Sequence, residues 1–522
     1  MLHFFCFSPS LIYSKILLNH YSRRLDAMNQ THAHSPVHSK HRPLILMACM
    51  LSMFMAAVEV TIVATAMPTI IVDLGGFSLL GWVFAVYLLT QAITVPVYGR
   101  LADLYGCKKI FFIGTTLFLV GSVLCGFAPS LTWMIAFRAL QGLGAGAITP
   151  IATTLIANVY GPQERAKAQG YLASVWAVSA IVGPLLGAFI VSHFPWAVVF
   201  WVNVPLGLFA MAILMRYLPA DTQRKQHQLD LAGTGLLTLS VASLLLALLQ
   251  AEALGYWALA LIGVAILSGC LLVRQERRTP EPLFPLALWQ SKVIIAGNIG
   301  GLVIGATMMG ISAFLPTFVQ GVMGGTPLQA GTTLAMMSIG WPLASMLSGN
   351  LMQATSYRAT ALLGALLLVC GSLILLLLTA DSGLWWARLA ALTIGAGMGL
   401  CNTTFLVSVQ NAADVSIRGI ATASTLFTRM LGSAIGTALL GATLNLNLEK
   451  RLPGITDPVQ QLMEKQSRLS MDPTQLGTIT DSVSASLHWV FIVAAVISLF
   501  ALAAGTLIPA GERPKGAPQR EG

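Results

Sequence analysis

Residues 44–66 read LILMACMLSMFMAAVEVTIVATA, an apolar run interrupted by one charge, Glu59. An α-helix needs about twenty such residues to cross a hydrocarbon core roughly 30 Å thick. Comparable runs follow at 78–98, 110–127, 131–157, 168–192, 197–215, 233–251, 255–273, 294–318, 328–352, 360–379, 385–408, 419–444 and 488–509, which makes fourteen. Only helices and closed barrels satisfy every backbone group inside a bilayer. Barrel strands alternate over about ten residues, whereas these runs are continuous and twice as long. The composition agrees: of 522 residues, 56% are hydrophobic and 9% charged, against about 25% charged in soluble domains. The sequence predicts an all-α polytopic membrane protein.

The net charge of +10 is a topology signal and not a nucleic-acid patch, because of where the basic residues fall. Arg100, Lys108 and Lys109, then Arg165 and Lys167, then Arg216, Arg224 and Lys225, then Arg274, Arg277, Arg278 and Lys292 occupy alternate connections. From Met28 onward one side carries nineteen Lys and Arg residues and the short loops of the other carry none. The positive-inside rule makes the basic side cytoplasmic, with both termini there. The exception is a long outer segment, 445–487, whose mixed charges and Pro453, Pro458 and Pro473 suggest a loop with some helix; long loops escape the rule.

Before the first span, Leu11–Leu18 is apolar but lacks the basic flank of a signal peptide, so Met28 is a plausible start. His32, His34, His38 and His41 read as part of a solvated tail more readily than as a metal site. The seven cysteines are scattered without C-x-x-C pairs, so neither disulfide nor metal is expected.

An internal repeat shows at an offset near 250. Leu143-Gly144-Ala145-Gly146 returns as Ile394-Gly395-Ala396-Gly397, Gly183-x3-Gly187 as Gly432-x3-Gly436, and Gly99-x-Leu101 as Gly349-x-Leu351. An offset of eight helices gives two parallel halves, a plan on which many secondary transporters are built. The expected organisation is a flexible tail 1–43, a six-helix half 44–217, two inserted helices with linkers 218–293, a second half 294–509 containing the outer segment 445–487, and a tail 510–522.

Charges at membrane depth cost at least about 2.5–3.5 kcal/mol on insertion scales and call for a partner or a function. Glu59, Arg138, Arg429 and, near an end, Arg388 are the charged residues inside the runs. At about 1.5 Å per residue, Glu59 lies roughly 22 Å from the cytoplasmic end of its helix and Arg138 roughly 10 Å from the outer end of another, which places them at similar heights. Two readings follow: a fixed ion pair pinning two helices, or a carboxylate that loads and releases a proton as its surroundings alternate. Gly142, Gly144, Gly146, Gly183, Gly187, Gly432 and Gly436 permit close helix approach, for packing alone or for surfaces that slide. In Gly99-Arg100-Leu101-Ala102-Asp103-Leu104-Tyr105-Gly106-Cys107-Lys108-Lys109 the two glycines permit a tight reversal, and Asp103 can cap the next helix.

That turn resembles the loop signature of the major facilitator superfamily, with Gly99, Asp103, Gly106, Lys108 and Lys109 in place and Leu104 where a basic residue is common. Arg138-x-x-Gln141-Gly142-x-Gly144 resembles the helix-four motif of proton-coupled members. Ser179-x3-Gly183-Pro184-x-x-Gly187 resembles the antiporter motif of helix five, with Ser179 and Ala188 replacing frequent glycines. The span count, Phe200-x-x-Asn203-x-Pro205-x-Gly207, Asp230-x-x-Gly233 and Glu59-x-Thr61-Ile62-Val63-x3-Met67-Pro68 are similar to the fourteen-span EmrB/QacA-type drug:proton antiporter branch, with Glu59 where Asp is usual.

The resemblance implies a proton-coupled exporter of lipophilic or cationic small molecules in a bacterial inner membrane. Its partners would be its substrate, protons and the lipid bilayer, with a periplasmic adaptor and outer-membrane channel left open. Glu59 and Arg138 would carry the coupling, Gly99, Asp103, Gly106, Lys108 and Lys109 the gate, and Gly183, Pro184 and Gly187 the antiporter motif. Trp82, Tyr87, Gln91, Gln141, Phe314, Trp341 and Arg429 are the candidate cavity residues, together with Trp201, Met308, Met309, Met336 and Phe318. Aromatic faces and flexible methionines suit variable ligands. No nucleotide loop or clustered acids mark an ATP-driven pump or an embedded enzyme. No cofactor is expected, and an importer or a carrier of one metabolite or lipid remains the alternative on the same fold.

Overall fold

The computed structural model describes residues 39–74, 80–219, 230–249, 254–279, 282, 286–453, 455, 458–463 and 471–510. The tail to residue 38 with the start expected at Met28, the linker 220–229 with Arg224 and Lys225, and the tail beyond 510 lie outside the described residues. The long apolar runs fold as α1 (Arg42–Leu74), α2 (Leu80–Tyr105), α3 (Cys107–Gly126), α4 (Leu131–Val159), α5 (Pro162–His193) and α6 (Val198–Tyr217). Then come α7 (Leu231–Leu249), α8 (Trp257–Glu276), α9 (Lys292–Thr317, continued by a π-helical turn Phe318–Val322), α10 (Pro327–Ala354), α11 (Tyr357–Leu376), α12 (Leu384–Ala412), α13 (Arg418–Arg451) and α14 (Pro473–Leu507).

Among the described residues, eleven helices are long and apolar enough to cross a membrane, or twelve when α5 is counted as one span across a 44° bend between Ala180 and Leu185. The expected fourteen is not reached on length and composition. The apolar stretch of α7, Ala232–Leu248, is short. In α10 the run is diluted by polar groups that the fold buries: Thr333, Ser345 and Ser348 are inaccessible, and Ser345 donates to the Gly399 carbonyl at 3.1 Å. The bend in α5 lies between Ala180 and Leu185, a stretch that contains Gly183-Pro184, and proline removes a backbone donor there.

Helix pairing displays the repeat. In the first set α1 packs on α5 and α6, α2 on α4, and α3 on α4 and α6; in the second, α9 packs on α13 and α14, α10 on α12, and α11 on α12 and α14. Each pair in the second set is the first with eight added. The sets meet where α2 lies on α13 and α5 on α10, again equivalent contacts. Gly183 and Gly187 face Thr61, Ile62 and Thr65 of α1, as Gly432 and Gly436 face Leu302 and Ala306 of α9.

One register differs from the expected one. Gly144 lies against Gly114 and Phe118 of α3, and the glycine in that position in the second set is Gly397, against Gly364 and Leu368 of α11. The offset is 250 in α3/α11 and 253 in α4/α12, so Leu143–Gly146 corresponds to 396–399 and not to Ile394–Gly397. The connections account for it: 127–130 is four residues and 377–383 is seven, a difference of three.

The α7–α8 pair packs chiefly on itself, and α7 touches α2 and α13 at the seam between the sets. Leu237, Val241 and Leu245 of α7 bury against Ala92 and Ile93, with Phe427, Met430 and Leu431 beside them. Exposed Trp133, Trp257, Trp385 and Trp386 all stand at the first turns of helices that start opposite the basic end. Indoles in that position form the belt expected at a membrane–water interface.

The expected outer loop 445–487 is largely helical. Leu440, Leu444 and Leu448 continue one buried face of α13 at i,i+4 spacing and meet Leu452, Leu462, Ile479 and Val483. At the other side Asp472 caps α14 by accepting from the Thr474 N–H at 3.3 Å, with Pro473 in the first helical position. A short helix, Pro458–Met463, lies between. Apolar spacing extends both helices past the lengths their hydropathy requires.

Candidate functional site

Glu59 of α1 and Arg138 of α4 meet, with Arg138 Nη1 donating to Glu59 Oε1 at 2.6 Å. Their side chains are 0% and 1% exposed respectively. The second carboxylate oxygen accepts from Asn203 Nδ2 of α6 at 2.5 Å. Arg138 Nη1 also reaches Gln141 Oε1 at 2.8 Å, and Nε reaches the Val83 carbonyl at 3.3 Å. Its guanidinium lies 4.1 Å from the centre of the Tyr87 ring, a favourable cation–π geometry in a desolvated place. Ser122 of α3 closes the network: it accepts from Gln141 at 3.0 Å and Asn203 at 2.9 Å and donates to the Phe200 carbonyl at 2.8 Å. Asn203 Oδ1 and the Tyr87 hydroxyl have no hydrogen-bond partner among the described residues. Glycines make the approach possible, since a Cβ on Gly121 would strike the Gln141 backbone. The repeat places Ala391 and Ile394 where Arg138 and Gln141 stand, so the network belongs to the first set alone.

A cavity of about 230 Å³ lies between the two sets. Met53, Thr149, Thr153, Gln169 and Trp176 line it from the first, and Met308, Ser312, Met337, Ser338, Trp341, Asn402 and Arg429 from the second. Of the candidate cavity residues, Trp341 and Arg429 line it. Gln141 and Tyr87 belong to the Glu59 network, Trp82 is partly exposed on α2, and Gln91 lies beside Gly146 at the α2–α4 contact. Phe314, Met336 and Phe318 pack in the core of the second set, Met309 is exposed, and Trp201 packs against Gly126. Met308 lines the cavity. Glu59 does not, although α1 reaches it through Met53.

At the basic end the sets are bonded together. Asp103 does not cap α3. Its two oxygens accept the N–H groups of Gly419 and Ile420, each at 2.7 Å, and so cap α13 from the opposite set. An anion on the first turn of a helix meets free donors and the positive end of the dipole. The approach needs two glycines: a Cβ on Gly419 would meet Asp103, and one on Gly99 would meet Ala423. Helix α2 therefore continues through Gly99, and the reversal is made by Gly106 alone, at φ 90°. Arg418 donates to Asn158 at 2.8 Å, Gln410 to the Thr153 carbonyl at 3.4 Å, and Arg165 bonds Asn411. Lys108 instead caps carbonyls at the end of α6, among them Met215 at 3.1 Å, and Lys109 lies 5.6 Å over the Tyr105 ring. Asn158, Arg165, Asn411 and Arg418 were not singled out by spacing, because each looks like an ordinary loop residue until both sets are assembled.

Two equivalent sets of membrane-length helices, with a cavity between them and a bonded seam at one end, form a multi-pass membrane architecture of the two-half plan on which many transporters are built. The chain belongs to the Major Facilitator Superfamily, whose family model matches residues 49–437. It is 30% identical over 472 residues to "Multidrug resistance protein 3" of Bacillus subtilis (strain 168), covering 87% of this chain and 92% of the relative. It is 33% identical over 413 residues to "Multidrug transporter protein MdtP" of the same organism, covering 77% and 75%. The solved proton:xylose symporter XylE shares the fold at a TM-score of 0.59 and 14% identity, over 91% of this chain and 98% of that one.

Proposed function

We propose that this transporter exports small lipophilic molecules in exchange for protons, as a fourteen-span member of the EmrB/QacA-type branch. In this reading it lies in a bacterial inner membrane with the basic end cytoplasmic. Residues 44–217 and 294–509 are its rocking halves, and α7 and α8 are the inserted pair. Two relatives named for multidrug resistance or transport support the export of drugs. The seam bonds at the basic end correspond to a conformation closed towards the cytoplasm.

The observation that carries the coupling is the Glu59 network. The deep carboxylate accepts from Arg138 and Asn203, contacts suited to its charged form. Asn203 also keeps an unpartnered Oδ1 next to it. Rotation of that amide offers an acceptor to a proton on Oε2, so the same residue serves both protonation states. Protonation removes the charge that holds Arg138, loosening α1 from α4. Because α1 also lines the cavity at Met53, the proton acts on the substrate through the helix and not by sharing its place.

The test is transport into everted membrane vesicles with an acidic lumen, using a panel of lipophilic acids, neutral molecules and cations. The wild type should accumulate at least one panel member and dissipate the pH gradient as it does so; Glu59→Gln should do neither. Gradient-driven accumulation retained by Glu59→Gln would reduce Glu59–Arg138 to a pair that pins two helices.

A further inference from the structure

Among the described residues the cavity is lined by one charged side chain, Arg429, and by no carboxylate. Arg429 Nη1 donates to Asn402 Oδ1 at 3.3 Å, and Arg429 takes no part in the ion pairs seen between described residues, Arg42–Glu164 and Arg138–Glu59. Glu59, the deep acid of the chain, is committed to Arg138 and Asn203. Arg429 is not inherited from the repeat: at the offset of 249 that relates Gly432 to Gly183, α5 carries Ala180. A cation in the middle of a membrane, bonded only to an amide, is expensive unless something compensates it.

The other polar groups of the wall are uncharged: Gln169 spends its amide nitrogen on the Thr153 carbonyl at 3.2 Å, and Thr149, Ser312 and Ser338 carry hydroxyls that can donate or accept. The Asn402 carbonyl oxygen accepts from Arg429, and the indole N–H of Trp341 has no hydrogen-bond partner among the described residues. The remainder of the lining is broad and apolar: Trp176 and Trp341 both lie roughly 20 Å from the basic ends of their helices, about one turn beyond Arg429, with Met308 and Met337 nearby.

We propose that this cavity takes lipophilic monoanions, with a carboxylate or sulfonate on Arg429 and Asn402 and an aromatic body against Trp176 and Trp341. The arrangement is a poor site for cations, which would meet Arg429 with no counter-charge. This rests on the transporter reading above and narrows its substrate class.

Purified full-length protein is titrated with 2-naphthoate, the neutral 2-naphthamide and the cation N-methylquinolinium, with quenching of tryptophan fluorescence and calorimetry as readouts. Naphthoate should bind at least tenfold more tightly than naphthamide, and the cation most weakly. Arg429→Gln should abolish the preference for acid over amide while changing amide affinity by less than about twofold, and Arg429→Lys should keep part of it. Equal, absent or weaker binding of naphthoate relative to the other two overturns the proposal, and this comparison needs only the wild type should the variants fail to fold. A preference that survives Arg429→Gln also overturns it. In proteoliposomes, Arg429-dependent binding without pH-driven transport would sink proton-coupled export and leave the substrate class standing. PH-driven transport of the cation unaffected by Arg429→Gln would do the reverse.

Discussion

Replacing Asp103 by Asn tests the seam with a change of almost no volume. The carboxylate accepts two backbone N–H groups at 2.7 Å, from Gly419 and Ile420. The amide keeps one acceptor oxygen, loses the charge, and turns an NH2 group towards donors. Hydrogen bonds to a charged group contribute about 1.5–3 kcal/mol each, so the net loss is about one such bond. At 1.4 kcal/mol per factor of ten, the equilibrium moves roughly 10- to 150-fold away from closure at the basic end. A cysteine placed at Ala173, a small residue of the cavity wall, reports this after the exposed Cys270 and Cys370 are replaced. In Asp103→Asn, labelling by an impermeant maleimide from the cytoplasmic side should rise at least tenfold, and turnover should fall. Substrate affinity measured in the detergent-solubilised protein should move far less than the labelling. Unchanged labelling together with lost affinity would show that Asp103 serves the ligand and not the seam.

Two further substitutions probe the network and its packing. Asn203→Leu leaves Glu59 Oε2 without its donor, which should cost about 1–3 kcal/mol and appear as a lower melting temperature of the purified protein; an unshifted melting point would mean that the bond contributes nothing. Gly183→Leu drives a side chain into Thr61 of α1 at a cost of about 1–3 kcal/mol for overpacking. Thr61→Gly should recover part of the stability, and no recovery would place the clash elsewhere.

The membrane class and the helix positions were legible because the bilayer demands long apolar runs, and such runs are visible in one dimension. The heights of Glu59 and Arg138 were also legible, since rise per residue is fixed. Their shared partners were not. Ser122 is an ordinary serine in a span, and nothing in α3 alone shows that it joins Gln141, Asn203 and the Phe200 carbonyl. Asn203 stood in a quoted motif without an assigned part. The cavity was read least well, because its wall depends on the rotation of seven helices: Tyr87 and Gln141 turn into the first set, while Trp176, Asn402 and Thr153 turn outward to the centre. Asp103 shows the same limit at the seam. Its nearest helix in sequence is α3, but its partner lies more than three hundred residues away. The repeat misled by two residues for a simpler reason: Ile394-Gly395-Ala396-Gly397 and Ala396-Gly397-Met398-Gly399 both offer alternating glycines, and only the partner helix tells which glycine is which.

The pairing of Glu59 with Arg138 has an electrical consequence. As a buried pair the two side chains sum to zero, so the membrane voltage does little work on them when the halves rearrange. Adding one proton makes the site +1, and moving a unit charge through a full 100 mV is worth about 2.3 kcal/mol. Under the proposed proton coupling, voltage therefore acts on this pair only while it is protonated, a contribution separate from the charge of Arg429 that biases the cycle even at equal pH on the two sides.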